Sequence, residues 1–519
     1  MSSRIERLPA ELVDNICSFS SLHDVCSLRQ TCSTLAHKTY PYFGDEIFHD
    51  FHLMLTSEGL QTLEYVASHD VFRHSVKTLW VLPAVFCGGY TWTSDQLRVL
   101  TAGGGMMTGQ LHQPPATSQS LDVASSLSPQ SRHALYNAVV MDHIHTFLPW
   151  SQDGSDSITP LQLTLEKCLP LLTNLQNVGL SDTDGSPNTP WGPWNGSLRG
   201  AQTLETQLGF DPISPRFPRQ AFVFSQTVVG PFRAKLFQSI ILSTLLSAIG
   251  SSQTPIKTLR IESPIVVEQG LFLTPAEEAS VKPILRELKD LVVSLSTTIS
   301  TQADWENICL SKEDVDYFLK ESTLWARKSL RPGKGRCDLV PLLSHTSSTL
   351  RKLQLNFSSE AKIIFDLAVR QGAWAANFKS ISELFAFSHL SSLRLANAYT
   401  TASSFKRMMA TTSETLKELF LENITWKREH ALPTPQTDDY QVESLQVAGE
   451  ICECLRHHSG LEAVVLAGWS FENHPITIIY PTDIGHVIWN DEGFQAWSYK
   501  SSRDGMSFRQ WIEMLRFYA

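Results

Sequence analysis

The sequence predicts an α/β chain: a short helical module at the N-terminus, then an irregular solenoid of parallel strands and helices carrying long insertions. Three observations predict it. Apolar residues repeat at helical spacing twice near the start, a short aliphatic motif recurs seven times further on, and helical patterning lies between several of its copies. The module would occupy residues 1–45 and the array 46–519, and 519 residues at 42% hydrophobic content suffice for a large buried core.

The N-terminal module begins with Leu8-Pro9-Ala10-Glu11-Leu12. Proline is favoured at the first helical position, where its missing N–H would have no partner, so Pro9 marks a helix start. Leu12, Ile16 and Phe19, with Val13 beside them, then fall on one helical stripe. Ser20 and Ser21 interrupt it, and Val25, Leu28, Cys32 and Leu35 form a second periodic set, read as one further helix. Asp24 sits where a helix N-terminus favours negative charge. Two helices this short are marginal alone, so their apolar residues need a neighbour, inside the chain or outside it.

The order Leu8-Pro9-x-Glu11-Leu12, then Ile16, then Leu22-x-Asp24-Val25-x-x-Leu28-Arg29 resembles the F-box. That family's helical module docks on a Skp-family adaptor, which links it to a cullin scaffold and a RING subunit. The resemblance implies that this chain is the substrate-recognition subunit of an SCF-type ubiquitin ligase. It gives the adaptor contacts to Leu8, Pro9, Leu12, Ile16, Leu22, Val25 and Leu28, flanked by Glu11 and Arg29. The family usually has leucine where Ser20 stands, an aliphatic residue at Thr31 and often tryptophan at Leu35. A hairpin packed on the chain's own core, or a repeat scaffold with a vestigial F-box and no ubiquitin link, are the alternatives the residues leave open.

Downstream the motif aliphatic-x-x-aliphatic-x-aliphatic begins at Val76, Leu175, Ile256, Leu350, Leu390, Leu416 and Leu461. It looks like a leucine-rich-repeat strand. Roughly four copies would arise by chance at ordinary aliphatic content, so context carries more weight than number. Phe405, Met408 and Met409 precede the Leu416 copy, and Val447, Ile451 and Leu455 precede the Leu461 copy, which gives helix, loop, strand in order. Asn397 and Asn423 fall one place earlier than the asparagine of the leucine-rich repeat. A non-repeating α/β domain is the competing reading.

Residues 101–131 and 181–220 read as insertions. The first is poor in charge and rich in Gly, Ser, Pro and Gln, so it cannot bury enough surface to order strongly and is expected to be a flexible loop. The second carries Trp191 and Trp194 among prolines and glycines, as partner-binding anchors or as lids on the core. Thr274-Pro-Ala-Glu277 and Ser311-Lys-Glu-Asp314 resemble capping boxes. The first predicts a helix with Leu285, Leu288, Leu291, Val292 and Leu295 on one side, broken or kinked at Pro283. A last helix, with Phe508, Trp511, Ile512 and Leu515 on one side, would cap the array.

No motif for chemistry stands out. Gly103-Gly-Gly105 lacks the lysine and hydroxyl of a phosphate cradle. Cys452-x-Cys454 with His457 and His458, and His143-x-His145, lack the paired spacing of zinc sites. The reading is therefore a non-catalytic protein with no metal or cofactor. The net charge of −10 and the lack of a basic run argue against nucleic acid as the main ligand. The first fifteen residues lack the apolar stretch of a signal peptide, Leu236–Gly250 is too short and polar to span a membrane, and nine scattered cysteines are no disulfide framework. An intracellular location, cytoplasmic or nuclear, is expected.

Overall fold

The computed structural model describes residues 5–82, 158–180, 230–266, 275–296, 339–357, 386–412, 414–428, 437–458, 460–471, 474–479, 487–489, 495–500 and 508–518, with isolated positions from 131 to 146 and Ser382. It is mixed α/β, with helices at the N-terminus and long, mostly parallel β-structure. The chain divides into two units, Met1–Ile256 with Leu273–Val281 and Thr301–Ser329, and Lys257–Phe272 with Lys282–Ser300 and Leu330–Ala519.

The first unit opens with α1 (Ala10–Ser18), α2 (Leu22–Thr31), α3 (Ser33–Lys38) and α4 (Tyr40–Phe48). It continues through β1 (Asp50–Met54), α5 (Ser57–Ser68), α6 (Phe72–Ser75), β2 (Thr78–Leu82), α7 (Pro160–Cys168), β3 (Asn177–Leu180) and α8 (Gly230–Ser252). β1, β2 and β3 are parallel, with Leu53 opposite Val81 and Val81 opposite Leu180. Parallel neighbours need a crossover, and local caps start the helices that provide it: Thr56 accepts from the Gly59 N–H, and Thr159 from the Gln162 N–H with Pro160 following. Ile241, Leu242, Leu245, Leu246 and Ile249 of α8 are fully buried. No described helix is long and apolar enough to cross a membrane.

β4 (Thr258–Val266) begins the second unit, and α9 (Pro275–Leu285) follows in sequence. Then come β5 (Asp290–Ser296), α10 (Leu339–Thr346), β6 (Lys352–Phe357), β7 (Ser392–Ala396), β8 (Tyr399–Thr401), α11 (Ala402–Thr412), β9 (Glu418–Glu422), β10 (Thr425–Lys427), α12 (Thr437–Arg456) and β11 (Ala463–Ala467). β4, β5, β6, β7, β9 and β11 lie side by side in parallel. The motif aliphatics form continuous rows: Leu259, Leu291, Leu353, Leu393, Leu419 and Val464 in one, and Ile261, Val293, Leu355, Leu395, Leu421 and Leu466 in the next. Every one of these side chains is buried, which is why the register holds: a slip by one residue would turn a whole row outward.

Each of the last three parallel strands is followed by a left-handed residue, Asn397 (φ 55), Asn423 (φ 54) and Gly468 (φ 61). The chain there turns into a second, smaller parallel sheet of β8, β10 and β12 (Ser470–Phe471), to which β13 (His474–Pro475) adds antiparallel. β14 (Thr477–Ile479) pairs with β17 (Arg516–Tyr518). β16 (Gln495–Lys500) extends the main sheet antiparallel to β11, and β15 (Val487–Trp489) adds antiparallel to β16. The expected C-terminal helix is α13 (Phe508–Met514); it buries Phe508, Trp511 and Ile512 and packs against α12.

Several expectations are corrected. Leu288, Leu291, Val292 and Leu295 do not continue a helix: α9 ends at Leu285, just past Pro283, and the segment forms β5. The periodic set Val25, Leu28, Cys32, Leu35 is likewise not one helix. Cys32 is extended (φ −162, ψ 160), and the Thr31 hydroxyl bonds the Leu28 carbonyl at 2.7 Å, so α2 stops and Leu35 lies on α3. Pro9 is the residue capping α1 rather than its first helical residue. Trp191, Trp194, His143, His145, the helix expected from Ser311, the 181–220 insertion and all of 101–131 but Ser131 lie outside the described residues.

Candidate docking surface on the N-terminal helices

Pro9 (φ −52, ψ 151) turns the chain into α1, and its carbonyl accepts from the Leu12 and Val13 N–H groups at 3.1 and 3.2 Å. α1 then carries apolar residues on two sides. Val13 and Cys17, four apart, face inward and join Val25 in a fully buried cluster on which Leu8, Leu28, Tyr42 and Phe43 pack. On the outer side Leu12 is 50%, Ile16 41% and Phe19 88% exposed.

α2 is started by a reciprocal cap: Ser21 Oγ accepts from the Asp24 N–H at 3.2 Å and donates to the Asp24 carboxylate at 2.6 Å. The Ser21 hydroxyl thereby holds the Asp24 carboxyl below its ordinary range. Burial pushes the Cys17 thiol and the Tyr42 hydroxyl upward, so both stay protonated at neutral pH.

Arg29 points into the module. Its guanidinium carbon lies 3.8 Å from the Phe43 ring centroid and 4.8 Å from that of Tyr40. Nη1 donates to the Ala36 carbonyl at 3.1 Å and the Thr39 hydroxyl at 3.2 Å. Lys38 Nζ donates to the Glu6 and Leu8 carbonyls at 2.7 and 2.6 Å and so ties the N-terminal turn to α3.

Of the residues expected to touch an adaptor, Pro9, Glu11, Leu12 and Ile16 are thus exposed on or beside α1. Leu8, Leu28 and Arg29 are half-buried, and Val25, 1% exposed, belongs to the module's own core. Leu22 begins α2, and its side chain lies outside the described residues. Ser20, where the F-box usually has leucine, is half-buried and donates its hydroxyl to the Ile16 carbonyl at 3.0 Å. Leu35 is buried on α3, and Thr31 is exposed. Phe19 was not among the expected contacts, although its three-residue spacing from Ile16 was the signal that puts it on the exposed stripe.

Among the described residues no group of three or more His, Cys, Asp or Glu is placed to hold a metal ion. Cys452 and His458 are buried on and just after α12, whereas His457 is exposed, 3.6 Å from Glu453. Comparison of the chain with protein-family models and with curated proteins returned no match.

Proposed function

We propose that this protein is an F-box-type substrate adaptor of a cullin-RING ubiquitin ligase. Its N-terminal helices dock a Skp-family subunit and its parallel α/β array binds the protein to be modified. The observation that carries the reading is the Leu12, Ile16, Phe19 stripe, exposed on α1 while a separate core of Val13, Cys17 and Val25 closes beneath it. A helix whose fold is satisfied on one side can give its other side to a groove, and apolar anchors at this spacing supply most of the affinity in helix-in-groove binding. The chain itself performs no chemistry in this reading. It holds a substrate lysine near a recruited ubiquitin carrier and raises its effective concentration there.

Co-purification tests the proposal. The full chain is expected to capture a Skp-family subunit, and Leu12→Asp with Ile16→Asp to abolish capture while leaving the melting temperature unchanged. Failure of the parent chain to capture the subunit, or undiminished capture by the variant, would remove the adaptor assignment.

A further inference from the structure

The parallel strands of the second unit are aligned at their N-terminal ends by one repeated device. The residue just before a strand offers its carbonyl to two successive N–H groups of the next strand. Lys257 O accepts from Lys289 and Asp290 at 2.8 and 3.1 Å, Lys289 O from Arg351 and Lys352 at 2.7 and 3.1 Å, and Arg351 O from Ser391 and Ser392 at 2.8 and 2.9 Å. These bonds make Lys257, Lys289 and Arg351 lateral neighbours, about 4.8 Å apart from strand to strand. Lys352, the next residue along β6, stands outside this row and has Asp290 as its neighbour in register. Lys257, Arg351 and Lys352 are exposed and Lys289 half-buried.

Like charges stacked across neighbouring strands repel, so this edge is unfavourable for folding taken alone. The chain has a formal net charge of −10, yet here it gathers cations. Elsewhere in the same unit cations are paired: Arg260 with Glu262 at 3.0 Å, Arg394 with Glu422 at 2.9 Å and Lys417 with Glu462 at 2.7 Å. Among the described residues Lys289, Arg351 and Lys352 make no ion pair. The nearest acids in sequence are Glu287 and Asp290, and an Asp290 carboxylate oxygen lies 3.5 Å from the Thr258 hydroxyl.

We propose that this strand-end edge docks an extended acidic protein segment, its Asp and Glu carboxylates meeting Lys289 and the fork of Arg351. The row crosses three strands, a span of about 10 Å, which three residues of extended chain cover. Arg351 supplies paired donors matched to a carboxylate, and the lysines supply point charges that tolerate sliding. The row from Lys257 to Ser391 holds no aromatic side chain on which a base could stack, which favours a peptide over single-stranded nucleic acid. This proposal stands independently of what α1 docks.

Fluorescence anisotropy with the full chain tests it, using a labelled peptide that contains six consecutive glutamates, its six-glutamine counterpart and a labelled single-stranded oligonucleotide. The glutamate peptide is expected to bind, to weaken as salt rises and to outcompete both other probes. Lys289→Glu with Arg351→Glu is expected to weaken it by at least about tenfold. Arg509→Glu, at an exposed site on α13, should leave it unchanged. Lys289→Gln with Arg351→Gln should also lose the peptide while melting at or above the parent temperature, because it relieves repulsion without adding opposite charge. No binding by the parent, binding retained in either double variant, or a preference for the oligonucleotide overturns the proposal.

Discussion

The Asn423 side-chain amide donates to the Asn397 side-chain oxygen at 3.1 Å, joining residues in equivalent left-handed turns of adjacent strands. Asn397 passes the pattern on by donating to Asn356 Oδ1 at 2.9 Å. Backbone bonds run the other way, from Asn397 N to Glu422 O and from Asn423 N to Ala467 O, each at 2.8 Å. Asparagine suits the position twice over: it tolerates positive φ, and its amide can donate and accept in a row.

Gly468 closes this row, and a Cβ there would collide with the Asn423 side-chain oxygen at a φ of 61. Gly468→Ala is therefore expected to destabilise the second unit by about 2–4 kcal/mol, combining backbone strain with a broken rung. Asn423→Gly should cost less than Asn423→Ala, because glycine keeps the turn and loses only the hydrogen bonds. Denaturant unfolding of the three variants gives the order.

Phe19→Ser removes the 88% exposed apolar side chain of the residue that ends α1. Thermal unfolding should move by less than about 0.5 kcal/mol, as for surface changes generally. Capture of a Skp-family subunit should weaken at least about tenfold. Val25→Asp is expected to do the reverse in order: it unfolds the helices first and loses capture as a consequence.

Arg29 is held by two acceptors and two rings, so Arg29→Ala should destabilise the helical module by about 2–3 kcal/mol. Hydrogen exchange of α2–α4 would show the loss locally.

His52, stacked beside Trp80 with ring centroids 6.4 Å apart, has its pKa pushed down to about 4 by burial, against the opposing charge of Asp50. Its unfolded value is near 6.5, so the unfolded chain takes up a proton first as pH falls. The contribution of neutral His52 is full above about pH 6.5, declines between there and about pH 4, and is worth at most about 3 kcal/mol. His52→Gln should flatten the stability–pH curve across that window. An unchanged slope in denaturant unfolding would show that His52 does not govern it.

The thiols of Cys168 and Cys452 are both pushed up to about 12 by burial. Neither should react with iodoacetamide at about pH 8 until the chain unfolds, as read by mass spectrometry.

The strand rows were legible because their signal is strictly local: two aliphatics at period two, preceded by a third, mark an inward-facing strand in all seven copies. Leu288-Lys-Asp-Leu291-Val-Val293 carries the same motif, yet the capping signal at Thr274 drew its leucines into a helical stripe. Over so short a run the two periods overlap, and only the stop near Pro283 separates them. The double face of α1 was half legible: spacing groups Leu12, Ile16 and Phe19, but nothing in it says which side the core will take. Arg29 looked like a surface cation, because its partners Ala36, Thr39, Tyr40 and Phe43 converge on it only through the break at Cys32. The asparagine row was hidden by counting from the motif, since Asn397 and Asn423 occupy equal positions in successive units while Asn356, which continues the row, stands one place earlier.

The doubled acceptor ahead of each strand uses the peptide carbonyl alone and asks nothing of the side chain attached to it. Proline is barred from the leading place of each strand after the first and from the residue behind it, since both must give a hydrogen to the carbonyl ahead of the previous strand. The leading place is open to any other residue that leaves its oxygen and its N–H where they are. Charge along this rim can therefore be rewritten, substitution by substitution, while the leucines underneath stay as they are.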